Sequence, residues 1–221
     1  MSREVRITPS ILNANFAQLD SEIARIAKQS DFIHLDVMDN IFVPNFTFDF
    51  DRACQIIQSC PIPVDAHLMV ANVDSIAPAY AEVGCSSVTI HAEATSDIAS
   101  TLRAIRKAGA RAGLGINPGT SIEEYEDLVD EIDMFLIMTV EPGFGGQSFK
   151  HEMMEKVKKT RRIIGERPIW LQVDGGVSLE TISEAAEAGA DVFVAGSAVF
   201  NAEDPGAMID ALRELANSAS E

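Results

Sequence analysis

The chain has 221 residues and carries 34 acidic against 17 basic side chains, a formal net charge of −17; this repels phosphodiester backbones, so nucleic acid is not an expected partner. Its apolar share of 47% with only 14 Gly and 9 Pro excludes fibrous, disordered and low-complexity classes and is enough for one sizeable buried core. Cys54, Cys60 and Cys85 are odd in number and lack CxxC spacing, Met1 to Arg6 has no apolar leader core, and no apolar run reaches the ~18 residues of a membrane span; a cytoplasmic protein with reduced thiols and no membrane partner is expected.

Taken in order, Val5 to Leu12 predicts a first strand, and Phe16, Leu19, Ile23 and Ile26 predict a helix from Phe16 to Lys28. Phe32 to Met38 is a nearly unbroken apolar run and predicts the second strand, followed by a loop, Asn40 to Asp49, that contains Pro44. A helix over Asp51 to Ser59 precedes a third strand, Pro63 to Val70, and a helix over Val73 to Val83 is closed by Gly84. Ser87 to His91, Arg111 to Ile116, Met134 to Val140, Ile169 to Val173 and Val192 to Ala195 predict the remaining strands. Helices are predicted over Asp97 to Ala108, Ile122 to Val129, Met153 to Ile164, Leu179 to Ala188 and Met208 to Leu215. Strands that are apolar throughout, each followed by a helix, indicate a parallel sheet covered on both faces. Repeated through a chain near the usual ~250 residues, the pattern indicates a (β/α)8 barrel, a TIM barrel of the α/β class. It forms a single domain over residues 1–216, with 217–221 as a disordered tail. A doubly wound open sheet is the structural alternative, and no GxGxxG follows the first strand to support it.

Side chains alternate along a strand, so His34 and Asp36 share one face while Ile33, Leu35 and Val37 share the other. An imidazole and a carboxylate on an apolar strand need partners; a hydrogen-bonded core histidine and a metal site both satisfy that need. In a barrel the site lies at the carboxyl ends of the strands, where Ser10, His34, Asp36, His67, His91 and Asp174 all fall. His34, Asp36, His67 and Asp174 form a set suited to one divalent cation, Zn²⁺, Fe²⁺, Mn²⁺ or Co²⁺. Asp65 has the parity of His67 and is expected to orient that imidazole. His91 reads either as a ligand or as a buried histidine behind one.

Three glycine-rich segments occupy the later loops: Gly143-Phe144-Gly145-Gly146, Gly175-Gly176 and Gly196-Ser197. Such loops are either tight turns or a phosphate cradle of backbone N–H groups, and their position after adjacent late strands favours the cradle. No Arg or Lys lies in them before Lys150, so the backbone is the expected donor. Lys28, Lys107, Lys150, Lys156, Lys158 and Lys159 all fall outside the predicted strands. That excludes a Schiff-base aldolase, which needs a strand lysine, and an Asp-x-Lys-x-x-Asp decarboxylase. Metal-assisted acid/base chemistry remains.

Pro9-Ser10-Ile11-Leu12, the run from His34 to Asp39 with Phe42-Val43-Pro44-Asn45, His67-Leu68-Met69-Val70, the run from Met138 to Gln147, Val173-Asp174-Gly175-Gly176-Val177 and Ala195-Gly196-Ser197-Ala198-Val199-Phe200 resemble the ribulose-phosphate 3-epimerase family. The resemblance runs nearly end to end. It implies a TIM barrel that interconverts D-ribulose 5-phosphate and D-xylulose 5-phosphate in the pentose phosphate pathway. It further implies a divalent metal on His34, Asp36, His67 and Asp174, with Asp36 and Asp174 as acid/base groups and Ser10 and His67 against the sugar. The phosphate falls to Gly143 through Gly146, Gly175-Gly176 and Gly196-Ser197, and Met38, Met69 and Met138 match methionines that line the family's site. The only partner implied beyond the sugar phosphate is a second copy of the chain, since the family is often dimeric or larger.

That reaction suits the residues. Epimerisation next to a carbonyl removes a proton from one face and returns one to the other, so two acid/base groups must flank the substrate. A bound cation stabilises the intervening enediolate. The chain departs from the family at Asn13, Asn15, Asn40-Ile41 and Phe48-Asp49-Phe50-Asp51, all near the lip of the site. An epimerase of another ketose phosphate, such as D-allulose 6-phosphate, is the nearest alternative, against which Gly176 and Gly196-Ser197 weigh. A non-catalytic sugar-phosphate-binding barrel is the alternative of another class, and the presence of both carboxylates weighs against it.

Overall fold

A computed structural model describes residues 4–220. The strands are β1 (Arg6–Pro9), β2 (Ile33–Met38), β3 (Val64–Met69), β4 (Ser87–His91), β5 (Arg111–Ile116), β6 (Met134–Met138), β7 (Trp170–Asp174) and β8 (Val192–Ala195). All pair in parallel in one sheet of order β1-β8-β7-β6-β5-β4-β3-β2. Between and after them run α1 (Leu19–Ile26), α2 (Phe50–Ser59), α3 (Val73–Val83), α4 (Ile98–Lys107), α5 (Met154–Ile164), α6 (Ile182–Glu187), α7 (Ser197–Phe200) and α8 (Pro205–Ala219). The sheet curls into a nearly closed barrel, as the apolar strands predict.

The seam between β1 and β2 is not a full ladder. It is one parallel bridge, Ser10 to His34, reinforced where Ile7 N donates to Asp31 Oδ2 (2.8 Å) and Asp31 N donates to Ile7 O (3.1 Å). Arg213 of α8 locks the seam from outside, donating to Asp31 Oδ2 at 2.8 Å, Val5 O at 3.1 Å and Gln29 O at 2.6 Å. Because the seam bridge itself contains Ser10 and His34, barrel closure and the site share residues. At the opposite end, Arg6 and Arg111 stack on Trp170 with guanidinium carbons 4.0 and 3.5 Å from its ring centre.

The main core lies between the outward strand faces and the helices, with Ile33, Leu35, Leu68, Ile90, Leu114 and Leu171 fully buried in it. Met38 and Met69 pack with Val43 apart from that core, and Leu136, Met138 and Val140 form a further cluster. Several predicted boundaries shift. The segment expected to be a helix over Ile122 to Val129 is a 3₁₀ helix, Glu123–Glu131. Ile122, at its N-cap, and Val129 lie in the core, and Tyr125 and Leu128 pack against it. The first helix begins with a 3₁₀ turn, Phe16–Gln18, capped by Asn15 Oδ1. The last begins at Pro205, capped by Asp204, and continues to Ala219 where a frayed tail from Asn217 was expected. Buried Leu212 and Ala216 hold that last turn on the core. Glu221 lies outside the described residues.

Candidate active site

The predicted ligand set converges. His34 and Asp36 come from β2, His67 from β3, where it sits beside Asp36 in register, and Asp174 from the end of β7. His34 Nε2 lies 3.3 Å from His67 Nδ1, 3.4 Å from Asp36 Oδ1 and 3.8 Å from Asp174 Oδ2. His67 Nδ1 lies 3.0 Å from Asp36 Oδ1 and 3.5 Å from Asp174 Oδ2. A tetrahedron of N and O ligands about 2.0–2.1 Å from a metal has edges of about 3.3–3.4 Å, so these separations suit one small divalent cation. The chemistry agrees: two imidazoles and two carboxylates of intermediate softness are borne on rigid strands.

Each imidazole is held from behind, though not as expected. Asp65 orients His34, not His67: its Oδ2 lies 2.8 Å from His34 Nδ1, because the register pairs Asp65 with His34 on the neighbouring strand. Ser87 Oγ and Gln172 Nε2 donate to Asp65 at 2.6 and 2.7 Å. His67 is instead backed by His91, Nε2 to Nε2 at 2.8 Å, and His91 Nδ1 faces Glu93 Oε2 at 3.3 Å. His91 is therefore not in the ligand set. Ser87 and Gln172 were legible in principle, since they share inward parity with His91 and Asp174. Glu93 lies in the 3₁₀ turn after β4, where no periodicity marks it.

Burial opposes charge on both His34 and His67. Asp36 and Asp65 overcome it at His34, and Asp174 and Asp36 at His67, so both imidazoles stay protonated above the ordinary range. Burial likewise opposes ionisation of Asp36, but His34 and His67 hold its carboxyl well below the usual range. His91 is pushed down, chiefly by burial. A cation held by His34 Nε2 and His67 Nδ1 would require both nitrogens unprotonated, so metal and protons would compete for them.

Above this cluster opens a cleft. Asp36, Asp174, Ser10, Met38, Met69 and Met138 form its floor and one wall. Ser10 Oγ donates to Asp36 Oδ2 at 2.5 Å. His34 and His67 lie wholly buried beneath the floor, so of the two residues expected against a sugar only Ser10 reaches the cleft. Thr139 Oγ1 donates to the carbonyls of Asp174 and Gly175 at 2.9 and 2.6 Å, fixing the end of β7.

The facing wall contains Gly143 through Gly146, Gly175, Gly176, Gly196 and Ser197, bringing the three predicted loops together. Among the described residues, the backbone N–H groups of Gly145, Gly146, Gly175, Gly176 and Gly196 donate to no protein acceptor. Gly176 has φ +69°, and a Cβ there would lie 2.6 Å from Phe149 N, so no other residue fits.

The departures at the lip have local explanations. Asn40 has φ +59°, a backbone conformation that Asn tolerates better than any residue but Gly. Asp49 caps α2 by accepting from Arg52 N at 2.8 Å, and Phe48 and Phe50 pack against Phe16 and Tyr80 with ring centres 4.9 and 5.1 Å apart. Asn45 Nδ2 donates to Gly143 O at 3.0 Å, joining the β2 loop to the β6 loop.

A model described as the ribulose-phosphate 3 epimerase family matches residues 6–200. A ribulose-phosphate 3-epimerase from Mycobacterium leprae (strain TN) is 48% identical over 216 residues, covering 97% of this chain and 96% of its own length. Ribulose-phosphate 3-epimerase 1 from Cupriavidus necator is 44% identical over 210 residues, covering 91% and 87%. Solved structures share the fold at low identity. One of 3-keto-L-gulonate-6-phosphate decarboxylase from Vibrio cholerae has TM-score 0.74 at 17% identity, covering 97% of this chain and 98% of the other. One of 3-hexulose-6-phosphate synthase from Salmonella typhimurium has TM-score 0.71 at 18% identity, covering 97% and 100%. No helix among the described residues is long and apolar enough to cross a membrane.

Proposed function

This chain belongs to the ribulose-phosphate 3-epimerase family, and on that premise we propose that it interconverts D-ribulose 5-phosphate and D-xylulose 5-phosphate by two-base proton transfer at carbon 3. The observation that carries the reading is the pair of carboxylates, Asp36 and Asp174, set on separate strands in one cleft opposite a glycine wall with unused N–H donors. Binding alone requires no such pair.

In this reading the phosphate rests against Gly145, Gly146, Gly175, Gly176 and Gly196, and the sugar lies over the floor with carbon 3 between the carboxylates. One carboxylate takes the carbon 3 proton, and the other, protonated, returns one to the opposite face; the roles exchange in the reverse direction. Ser10, through its hydrogen bond to Asp36 Oδ2, fixes which carboxylate oxygen faces the substrate. The methionines exclude water from the enediolate without adding a competing base. A divalent cation held by His34, Asp36, His67 and Asp174 supplies electrophilic stabilisation of enediolate charge when bound. Zn²⁺, Fe²⁺, Mn²⁺ and Co²⁺ all suit that donor set. The same reading places the reaction in pentose phosphate metabolism in the cytoplasm, in keeping with three free cysteines.

The test is proton NMR of the metal-replete protein with D-ribulose 5-phosphate in D₂O, beside a parallel reaction with D-allulose 6-phosphate. Deuterium entering carbon 3 as D-xylulose 5-phosphate appears is the expected result. Exchange confined to the allulose phosphate would move the substrate, and exchange in neither would leave a binding barrel.

A further inference from the structure

The phosphate end of the cleft contains a side chain whose polar groups find no hydrogen-bond partner among the described residues. Among the described residues no Arg, Lys or His lines this cleft, and Lys150, the nearest base in the loop sequence, pairs with Glu141. In a chain of net charge −17, a phosphate held there depends on neutral donors. Four side chains in the lining carry them: Ser10, Asn13, Gln147 and Ser197, and Ser10 already donates to Asp36 Oδ2. Gln147 is engaged, its Nε2 donating to Glu141 O at 2.7 Å and Phe144 O at 2.8 Å. Ser197 offers one hydroxyl. Asn13 offers two amide N–H groups, and among the described residues its side chain makes no hydrogen bond.

Its position is specific. A Cβ on Gly196 would lie 2.3 Å from Asn13 Oδ1, and one on Gly145 would lie 2.8 Å from Oδ1 and 2.9 Å from Nδ2. The amide thus occupies the space those two glycines leave, between the loop after β6 and the loop after β8. Its backbone is fixed by a 3₁₀ turn, Ile11–Asn13, in which Leu12 N donates to Ser10 Oγ at 3.2 Å and Ala14 N donates to Ile11 O at 3.0 Å. The turn grows directly from β1, so the amide stands on the barrel itself and not on a loose loop. A half-buried amide with unused donors, placed among unpaired backbone N–H groups, suits an anion far better than an apolar neighbour. A half-turn of its terminal torsion presents Nδ2 to the cleft with no backbone movement.

We propose that Asn13 is a phosphate-binding residue, its Nδ2 donating to a non-bridging oxygen of a phosphate monoester held on the cleft side of the amide, beside the backbone N–H groups of Gly145 and Gly196. The inference rests on the sugar-phosphate reading of the cleft and adds to it the one side-chain amide free to act there. It also gives the cleft a preference by charge. A neutral amide accepts the dianion, whereas the isosteric carboxylate would repel it.

The test compares wild type, Asn13→Asp and Asn13→Ala. Inorganic phosphate affinity is measured by calorimetry, and kcat and KM are measured with D-ribulose 5-phosphate, with thermal unfolding recorded for each. Asp keeps the size and shape of Asn, removes its donors and adds a negative charge. Asn13→Asp is expected to weaken inorganic phosphate binding and raise KM by about 10- to 100-fold, the scale of a hydrogen bond to a charged group. Its effect on KM exceeds that on kcat, and Asn13→Ala shows a smaller loss in the same direction. A merely spacing role gives the reverse: Asn13→Asp behaves as wild type while Asn13→Ala loses stability, which overturns the proposal. A wild type that turns over no ketose phosphate, yet binds inorganic phosphate in an Asn13-dependent way, removes the epimerase reading and leaves Asn13 standing. A wild type that turns over ribulose phosphate with Asn13→Asp unchanged removes only Asn13.

Discussion

The two walls of the cleft solve opposite problems. On the β2, β3 and β7 side the polar groups are charged side chains buried in the barrel, and each imidazole has a second partner deeper in: Asp65 behind His34, His91 behind His67. In the loops after β6, β7 and β8 the polar groups are backbone N–H groups that need no partner until an anion arrives. A buried charged group left unsatisfied costs about 1–3 kcal/mol or more, so the first wall is built as a network in which every member fixes another. The second wall depends only on shape, and fails when a side chain intrudes. One wall therefore breaks by changing a hydrogen-bonding partner, the other by adding a methyl group.

The largest effect is expected at the first wall. Asp174→Asn removes one acid/base group while keeping its shape, and is expected to lower kcat by about 10²- to 10⁴-fold. Asp174 is the most exposed member of the cluster, its side chain 17% accessible, so the variant should stay folded. Steady-state kinetics with a circular dichroism melt check both statements. Full activity in this variant would sink the two-base reading.

Next comes the second wall. Gly176→Ala places a Cβ 2.6 Å from Phe149 N at φ +69°, which backbone rather than a flexible side chain must absorb. A loss of about 2–4 kcal/mol of stability is expected, together with a raised KM for the sugar phosphate. Unfolding midpoints in denaturant and substrate titration measure the two. An unchanged KM would mean that the phosphate does not lie against this loop.

Smaller still is the change behind a ligand. Asp65→Asn takes the carboxylate away from His34 Nδ1 while Gln172 and Ser87 remain nearby. Partners of this kind typically contribute about 10- to 100-fold to metal affinity, and a loss on that scale is expected in Zn²⁺ or Co²⁺ binding, with inorganic phosphate affinity unaltered. If both affinities fell together, the walls would not be independent.

The same contrast separates what the sequence discloses from what it does not. Strands that are apolar on both faces and glycine-closed helices made the barrel legible, and strand parity put His34, Asp36, His67 and Asp174 on one face of it. Parity could not say which neighbour Asp65 would meet. His34 and His67 both lie within reach of an inward residue on β3, and only the register, Asp65 opposite His34, decides. Asn13 was visible only as a departure from the family. Its meaning depends on two glycines more than a hundred residues away, a contact that no local pattern contains. The helix expected from Ile122 forms as a 3₁₀ helix, Glu123–Glu131, a choice of hydrogen-bond period that its apolar spacing does not encode.

The effect expected to be smallest near neutrality is on pH, and here the walls should diverge most cleanly. His34 and His67 have folded-state pKa values above their ordinary value of 6.5. Their protonated forms, paired with Asp36, Asp65 and Asp174, therefore stabilise the metal-free protein fully below pH 6.5, and that contribution is lost as pH rises through the elevated values. Asp36 and Asp65 are shifted the other way, so their contribution is present above the ordinary carboxylate range and disappears only in strong acid. The unfolding temperature of metal-free protein should accordingly fall as pH is raised from 6.5. Metal binding requires the unprotonated imidazole nitrogens, so affinity for the cation should rise across the same window, by up to about tenfold per pH unit for each proton displaced. On the second wall the lining offers glycine N–H groups, the Asn13 amide and a Glu141 already paired with Lys150; phosphate affinity there should follow only the ligand's own ionisation. Two slopes of opposite sign from one cluster are measurable by calorimetry with and without chelator. A metal-free unfolding temperature that climbed with pH would show that His34 and His67 are neutral in the folded state, and that the first wall is held by something other than the imidazolium–carboxylate network.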